Sequence, residues 1–143
     1  PLLIYCPGGK QGVVDEMVQN IDYAPTFLEA AGVKVPSDIQ GRSLLPLLQG
    51  KKPANWRKSL YYHYYEYPAE HSVCRHYGIR TKRYTLIHFY NDIDSWELYD
   101  LKKDPSQLHN IYGQKGTEKL TERLKKELKE LQVQYNDPIR NQY

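Results

Sequence analysis

The chain has 143 residues, which is enough for a domain with a buried core. Its formal net charge of +3 attracts anions but is far below that of a dedicated nucleic-acid-binding protein. No apolar run approaches the roughly 20 residues of a membrane-spanning helix, so neither nucleic acid nor a membrane is an expected partner. Fourteen tyrosines against two phenylalanines predict either a core whose ring hydroxyls need hydrogen-bond partners or a surface suited to sugars.

The chain opens on an apolar run, Leu2–Tyr5, which is typical of a core strand. No turn and no initiating methionine precede it, so we expect the chain to be a fragment of a longer protein. A strand without partners leaves hydrogen-bonding edges and apolar surface uncovered. We therefore expect this segment to be disordered, swapped or paired between copies, which would make strand-mediated self-association possible.

Two helices are predicted next, after a weakly alternating run at Glu16–Ile21 that favours a strand. The first helix is expected to start at Asp22 as N-cap and to end before Gly32. The second is a short leucine-rich helix that Ser43 can cap, with a positive-φ turn at Gly41 before it. The inward-facing positions of the first helix are predicted to be Ala24, Phe27, Leu28 and Ala31, and the leucines of the second are Leu44, Leu45, Leu47 and Leu48.

After a polar connector at 50–55 the pattern changes to strands, so we predict two parts, residues 1–55 and residues 56–143. Short turns join the later strands, which makes consecutive strands antiparallel neighbours. An amphipathic helix follows, with an apolar stripe that needs a sheet face to cover. The predicted fold class is α+β, with a four-stranded antiparallel sheet covered by a long carboxy-terminal helix. The strands are Leu60–Tyr65, Val73–Thr81, Tyr84–Asn91 and Ser95–Leu101, and the stripe is Leu120, Leu124, Leu128, Leu131 and Tyr135.

Three motifs occur in a characteristic order along the chain. They are an Asp-x-x-Pro-Thr core within Val18–Gly32, a Gly-Arg-Ser-Leu core within Gln40–Leu48, and Leu-Tyr-Asp-Leu within Glu97–Pro105. In this order they resemble the carboxy-terminal part of type I sulfatases, which share the alkaline-phosphatase-like fold. The resemblance implies that residues 1–55 are the strand-and-helix remnant of a large α/β domain and that residues 56–143 form its small subdomain.

The segment Glu66–Arg80 is similar to N-acetylglucosamine-6-sulfatases and related glycosaminoglycan-degrading enzymes. The resemblance implies that the parent enzyme hydrolyses sulfate esters on amino sugars with calcium and a formylglycine nucleophile, and that it is periplasmic or secreted. That nucleophile matures from a Cys/Ser-x-Pro-Ser/Ala-x-Arg motif, and neither Cys6 nor Cys74 stands in one. We therefore expect no catalytic residue and no metal ligand in this chain, and no activity of the chain alone.

His71, Arg75 and His76 are the candidate substrate-binding residues, because such donors at a pocket mouth bind sulfate and sugar hydroxyls. The alternative is that backbone carbonyls satisfy them. Arg75 and His76 would point to opposite faces of an ideal strand, so both serve one pocket only if a bulge intervenes.

Other candidates are weaker. Glu66 and Glu70 could act as an acid/base pair, but salt bridges to nearby arginines are the favoured interpretation. His71, Cys74 and His76 lack the spacing of an established metal site. Two other functions stay open: a stand-alone module that binds anionic glycans, and a phosphatase or phosphodiesterase of the same superfamily.

Overall fold

The computed structural model describes residues 2–141, and the chain divides into two compact units, residues 1–57 and residues 58–143. The first unit contains a 3-10 turn and two helices, and the second contains a four-stranded sheet and one long helix. Among the described residues, no helix combines the length and the apolar character needed to cross a bilayer.

In the first unit, a 3-10 turn at Asn20–Asp22 leads directly into α1 (Tyr23–Ala30), and α2 (Leu45–Leu48) follows after a loop. The strands predicted at Leu2–Tyr5 and at Glu16–Ile21 are absent from this part of the structure, in which all four strands belong to the second unit. A strand is stable only when a neighbour satisfies its backbone N–H and C=O groups, and Leu2–Tyr5 has no such neighbour among the described residues.

The buried face of α1 differs from the predicted one. Phe27 is 71% exposed, whereas Pro25 and Thr26 are buried. The Thr26 hydroxyl donates to the carbonyl of Asp22 at 2.5 Å and accepts the backbone N–H of Leu44 at 2.8 Å. This polar bridge joins α1 to the start of α2 and sets which side of the helix faces inward, so apolar periodicity alone gave the wrong face.

Asp22 is fully buried, and its carboxylate does not cap α1. Instead Arg57 donates to both of its oxygens, at 2.5 and 2.7 Å. The Asp22 carboxylate also accepts the backbone N–H groups of Gln19 and Arg42, at 2.8 Å each. Gly41 has no positive φ, which corrects the predicted turn. A Cβ atom there would lie 1.9 Å from the carbonyl oxygen of Ile21, so the glycine is required by close backbone approach.

The second unit is an antiparallel sheet in the order β1-β2-β3-β4. Its register places Tyr62 opposite Gly78, and a Cβ atom at Gly78 would come within 2.5 Å of the Tyr62 hydroxyl. The strands are β1 (Ser59–Tyr64), β2 (His76–Thr81), β3 (Tyr84–Phe89) and β4 (Ser95–Asp100). Each lies within or one residue from its predicted run, and the predicted sheet is confirmed.

The helix α3 (Glu118–Gln134) packs on one face of the sheet, against β1, β2 and β3. Leu124 and Leu128 are buried there, and Leu120 and Leu131 flank them, which confirms the predicted stripe. The other fully buried side chains of this core come from alternate positions of the strands, as a period of two requires. They are Ile79, Leu86 and Leu98.

Candidate substrate-contact loop

Residues 65–75 connect β1 to β2 and form the longest connection within the sheet; this segment is called the 65–75 loop. Arg75 holds its two ends together. Its Nε donates to the carbonyl of Tyr65 at 3.1 Å, its guanidinium donates to the carbonyl of Tyr67, and it pairs with Asp92 at 3.4 Å. The structure therefore agrees with the alternative interpretation of Arg75, in which backbone carbonyls accept its hydrogen bonds.

His71 lies in the middle of the loop and is exposed. Within residues 2–141 its imidazole has no hydrogen-bond or ion-pair partner, so the ring is available to a ligand. Glu66 and Glu70 are exposed as well, and among the described residues neither forms an ion pair. The expected salt bridges of these glutamates are thus wrong, because the guanidinium of Arg75 is occupied by two carbonyls and by Asp92.

His76 is the first residue of β2, and its imidazole is engaged by neighbouring residues. Its Nδ1 lies 2.9 Å from the carbonyl oxygen of Cys74, and its ring stacks on Tyr64 with centroids 5.5 Å apart. Phe89 covers another side at 5.2 Å. Of the three predicted contact residues, the structure therefore presents only His71 as an unengaged side chain, and it does not bring the three together.

A hydrogen-bonded chain that the sequence analysis missed lies under this loop. Oδ2 of Asp137 accepts Nδ1 of His63 at 2.7 Å, the Tyr61 hydroxyl at 2.7 Å and the Tyr65 hydroxyl at 3.1 Å. On its far side, His63 Nε2 lies 2.5 Å from the Tyr90 hydroxyl. An ionised carboxylate can only accept, so Nδ1 carries the proton and Nε2 accepts from Tyr90. We call this set the His63 chain.

A second set with the same order, the His88 chain, lies on the same side of the sheet. His88 Nε2 donates to Asp94 at 2.8 Å, and its Nδ1 lies 2.7 Å from the Tyr77 hydroxyl. The imidazole stacks on Trp96 with ring centroids 4.1 Å apart. The two chains meet where Tyr77 and Tyr90 pack with centroids 5.5 Å apart. These contacts give the hydroxyls of Tyr77 and Tyr90 the partners expected for core tyrosines, whereas within residues 2–141 the buried Tyr64 hydroxyl has none.

Burial shifts the pKa values of the histidines in the His63 chain and the His88 chain. Desolvation lowers the pKa of His63 and of His88, although the facing Asp137 and Asp94 oppose the shift. The pKa of Asp137 is lowered because the hydrogen bonds from His63, Tyr61 and the backbone N–H of Ile139 outweigh its burial. An Asp-His-Tyr order is familiar from general acid/base sites, but both imidazoles are buried, with His63 3% and His88 4% exposed. Here their hydrogen bonds hold the strands and the neighbouring segments of the core together.

No group of three or more histidine, cysteine, aspartate or glutamate side chains within residues 2–141 is placed to hold a metal ion. The two cysteines, Cys6 and Cys74, are both free.

The fold and motifs described above are those of a sulfatase carboxy-terminal region. A family model described as "N-sulphoglucosamine sulphohydrolase, C-terminal" matches residues 1–134, and the chain belongs to this family. Its structural neighbours are alkaline-phosphatase-like enzymes, which confirms the expected fold class. A phosphonate monoester hydrolase from Silicibacter pomeroyi superposes over 92% of this chain and 28% of its own, with a TM-score of 0.80 and 26% identity.

Two further relatives are much closer in sequence. An N-acetylglucosamine-6-O-sulfatase of Bacteroides thetaiotaomicron is 57% identical over 141 residues, covering 96% of this chain and 25% of the relative. The solved structure of BT4656 in complex with its substrate D-glucosamine-2-N,6-O-disulfate is 61% identical, with a TM-score of 0.78, and covers 82% of this chain and 24% of that one. The chain thus spans about a quarter of the length of these relatives.

Proposed function

We propose that this chain is the carboxy-terminal part of a sulfatase that hydrolyses the 6-O-sulfate ester of N-acetylglucosamine-type amino sugars. The observation that carries the proposal is the 57% identity to an N-acetylglucosamine-6-O-sulfatase along nearly the whole chain. A solved structure that is 61% identical to this chain contains a glucosamine that carries a 6-O-sulfate. Divergence of substrate class is uncommon at such identity, whereas the fold alone would not identify a substrate.

In this proposal the 65–75 loop borders the substrate, and His71 is the residue that contacts it. The support is the free imidazole in an exposed loop whose ends are held by Arg75. Such an arrangement places a donor in a surface loop between two strands of a sheet, which is how binding residues are commonly presented. Arg75 and His76 act indirectly. Arg75 holds the backbone of the loop, and His76 belongs to the strand that follows.

We further propose that the nucleophile and the calcium ion implied by the family resemblance belong to parts of the enzyme other than residues 2–141. No step of the reaction is assigned to a residue described here, because these residues contain no cluster that fits a metal ion. Export of the whole enzyme to the periplasm or the medium belongs to the same proposal, as does a sulfated carbohydrate as its partner.

The test uses the complete enzyme that contains this chain. The expected result is turnover of 6-sulfated N-acetylglucosamine well above that of 2-O-sulfated uronate and of a phosphonate monoester. The phosphonate arm is needed because a phosphonate monoester hydrolase shares this fold. Faster cleavage of the phosphonate than of the sulfate ester would overturn the assignment.

The role of His71 is tested in the same enzyme by His71→Ala, with His109→Gln as the matched control. His109 is also an exposed histidine of this unit, in a loop after β4. We expect His71→Ala to raise KM roughly tenfold, which corresponds to about 1.4 kcal/mol of lost binding, while His109→Gln leaves KM unchanged. Equal KM values for the two variants would remove His71 from the site.

A further inference from the structure

A cavity of about 200 Å³ opens on the first unit, beside the end of α2. Three lysines line it together with exposed valines, and a single glutamate, Glu16, is the acidic residue of its lining. The lysines are Lys10, Lys51 and Lys52, and the apolar lining includes Val13, Val14 and Leu47.

The backbone around the cavity is fixed by hydrogen bonds to α2. The N–H of Lys10 donates to the carbonyl of Leu48 at 2.7 Å, and the N–H of Lys51 donates to that of Pro46 at 2.9 Å. Gly50 has φ +75°, and a Cβ atom there would lie 2.5 Å from Cδ of Lys10. The missing side chain therefore leaves room for the aliphatic part of Lys10 to lie across the end of the helix.

The charge balance of the cavity favours an anion. Lys52 approaches Glu16 at 3.9 Å, so one positive charge is partly compensated. Within the part of the chain that the structure describes, Lys10 and Lys51 form no ion pair. Lys10 and Lys51 thus line the same cavity without a carboxylate paired to either of them, and a tetrahedral oxyanion can accept hydrogen bonds from ammonium groups.

The apolar lining indicates what carries the anion. Val13 is 92% exposed and Val14 is also exposed, next to the lysines. A free inorganic anion gains nothing from such neighbours, whereas the C–H face of a sugar ring does. The volume of about 200 Å³ is below the roughly 300–1,000 Å³ of pockets for drug-sized ligands, so the ligand is no larger than a single sugar residue.

We infer that this cavity binds a sulfated sugar residue, with the sulfate group between Lys10 and Lys51 and the ring against Val13. The choice of a sulfated sugar as ligand rests on the proposed function, whereas the anion preference rests on the lysines alone. In a sulfatase that acts on glycans, such a site would hold a saccharide against the first unit.

The experiment follows backbone amide signals of the 143-residue chain by NMR during titration with 6-sulfated N-acetylglucosamine. The expected result is saturable shifts at Lys10, Val13 and Lys51 that weaken about tenfold in affinity in the Lys10→Gln/Lys51→Gln variant. The matched control is Lys102→Gln/Lys103→Gln, which removes the same charge from a turn after β4. Since all four lysines are exposed, both variants should fold.

If the Lys102→Gln/Lys103→Gln variant loses as much affinity as the Lys10→Gln/Lys51→Gln variant, the inference is overturned. The binding would then reflect the net charge of the protein alone. Equal affinity for inorganic sulfate, or no shift at Lys10 and Lys51, would overturn it too. His71→Ala should leave these shifts unchanged. The measurement does not involve turnover, so its failure is separate from a failure of the sulfatase proposal.

Discussion

His63 Nδ1 lies 2.7 Å from Oδ2 of Asp137, although 74 positions separate the two residues. Asp137 follows α3, and His63 belongs to β1, so the contact ties the segment after the helix to the first strand of the sheet. Both side chains are almost fully buried, at 3% and 2% exposed. A charged acceptor with three side-chain donors is costly to disturb, because the buried His63 would lose its partner without gaining water.

The replacement Asp137→Asn should therefore destabilise the protein by about 2–3 kcal/mol, since an amide cannot accept from His63, Tyr61 and Tyr65 as the carboxylate does. Asp94→Asn is the matched control. It removes the same kind of partner from His88, but Asp94 is 87% exposed, so the cost should stay below about 1 kcal/mol. Urea unfolding measures both, and equal losses would show that burial of the pair is unimportant.

Stability should fall as pH drops below about 6.5. Burial lowers the pKa of His63 and of His88, so both stay neutral in the folded protein at a pH where the unfolded chain, with an ordinary histidine pKa of about 6.5, is already protonated. Because the unfolded state then binds more protons, protonation favours unfolding.

The measurement is the urea midpoint between pH 8.5 and pH 5. A plateau above pH 7.5 and a decline below about pH 6.5 are expected. The buried carboxylates Asp22 and Asp137 have lowered pKa values, so their contribution is lost only at more acidic pH, below about 4. A midpoint that stays constant from pH 7.5 to pH 5 would show that the two imidazoles are not held neutral by the fold.

In the first unit, Arg57→Gln should cost about 3–5 kcal/mol because it leaves the fully buried carboxylate of Asp22 without its bidentate partner. Arg83→Gln offers a comparison at similar geometry. Arg83 pairs with Asp100 at 2.8 Å, but its side chain is 48% exposed, so its loss should cost below about 1 kcal/mol. Thermal unfolding of the two variants checks the difference, and a smaller effect of Arg57→Gln than of Arg83→Gln would contradict it.

Thr26→Val keeps the shape of the side chain but removes the hydroxyl that joins Asp22 to Leu44. We expect a loss of about 1–3 kcal/mol, because the buried N–H of Leu44 is left without an acceptor. Thr26→Ser restores the hydroxyl and should recover most of that loss. If the serine variant is no more stable than the valine variant, the methyl group and not the hydrogen bonds stabilises this position.

The chain alone should not hydrolyse sulfate esters. The purified 143-residue protein, assayed on an aryl sulfate and on 6-sulfated N-acetylglucosamine with calcium, is expected to give no turnover above buffer. Its folding is checked in parallel by circular dichroism, so that inactivity is measured on a folded sample. Turnover proportional to protein concentration would place a nucleophile within these residues.

The strands and the helix of the second unit were predicted from local patterns of apolar residues in the sequence. Alternating side chains between short turns gave the four strands, and leucines at helical spacing gave α3. The face of α1 did not follow, since Thr26 is fixed by a partner in another element. Likewise, no local signal pairs His63 with Asp137. Only the requirement that a tyrosine-rich core satisfy its hydroxyls pointed toward such a network.

The candidate site was predicted in part. The predicted strands Leu60–Tyr65 and Val73–Thr81 imply a connection between them, and an 11-residue connection is present at 65–75. The separate roles of the residues in this loop could not be predicted from the sequence. Whether Arg75 binds a ligand or the carbonyls of Tyr65 and Tyr67 depends on how the loop folds back, which composition does not determine.

The anchoring of the 65–75 loop has a consequence for protein engineering. Arg75 fastens the two ends, and the sheet register is set by β1 and β2, so the stretch from Pro68 to Val73 adds nothing to the core. New residues can be inserted or exchanged there at little cost to folding. The 65–75 loop is therefore the segment in which substitutions change the surface chemistry of the hairpin while the sheet stays intact.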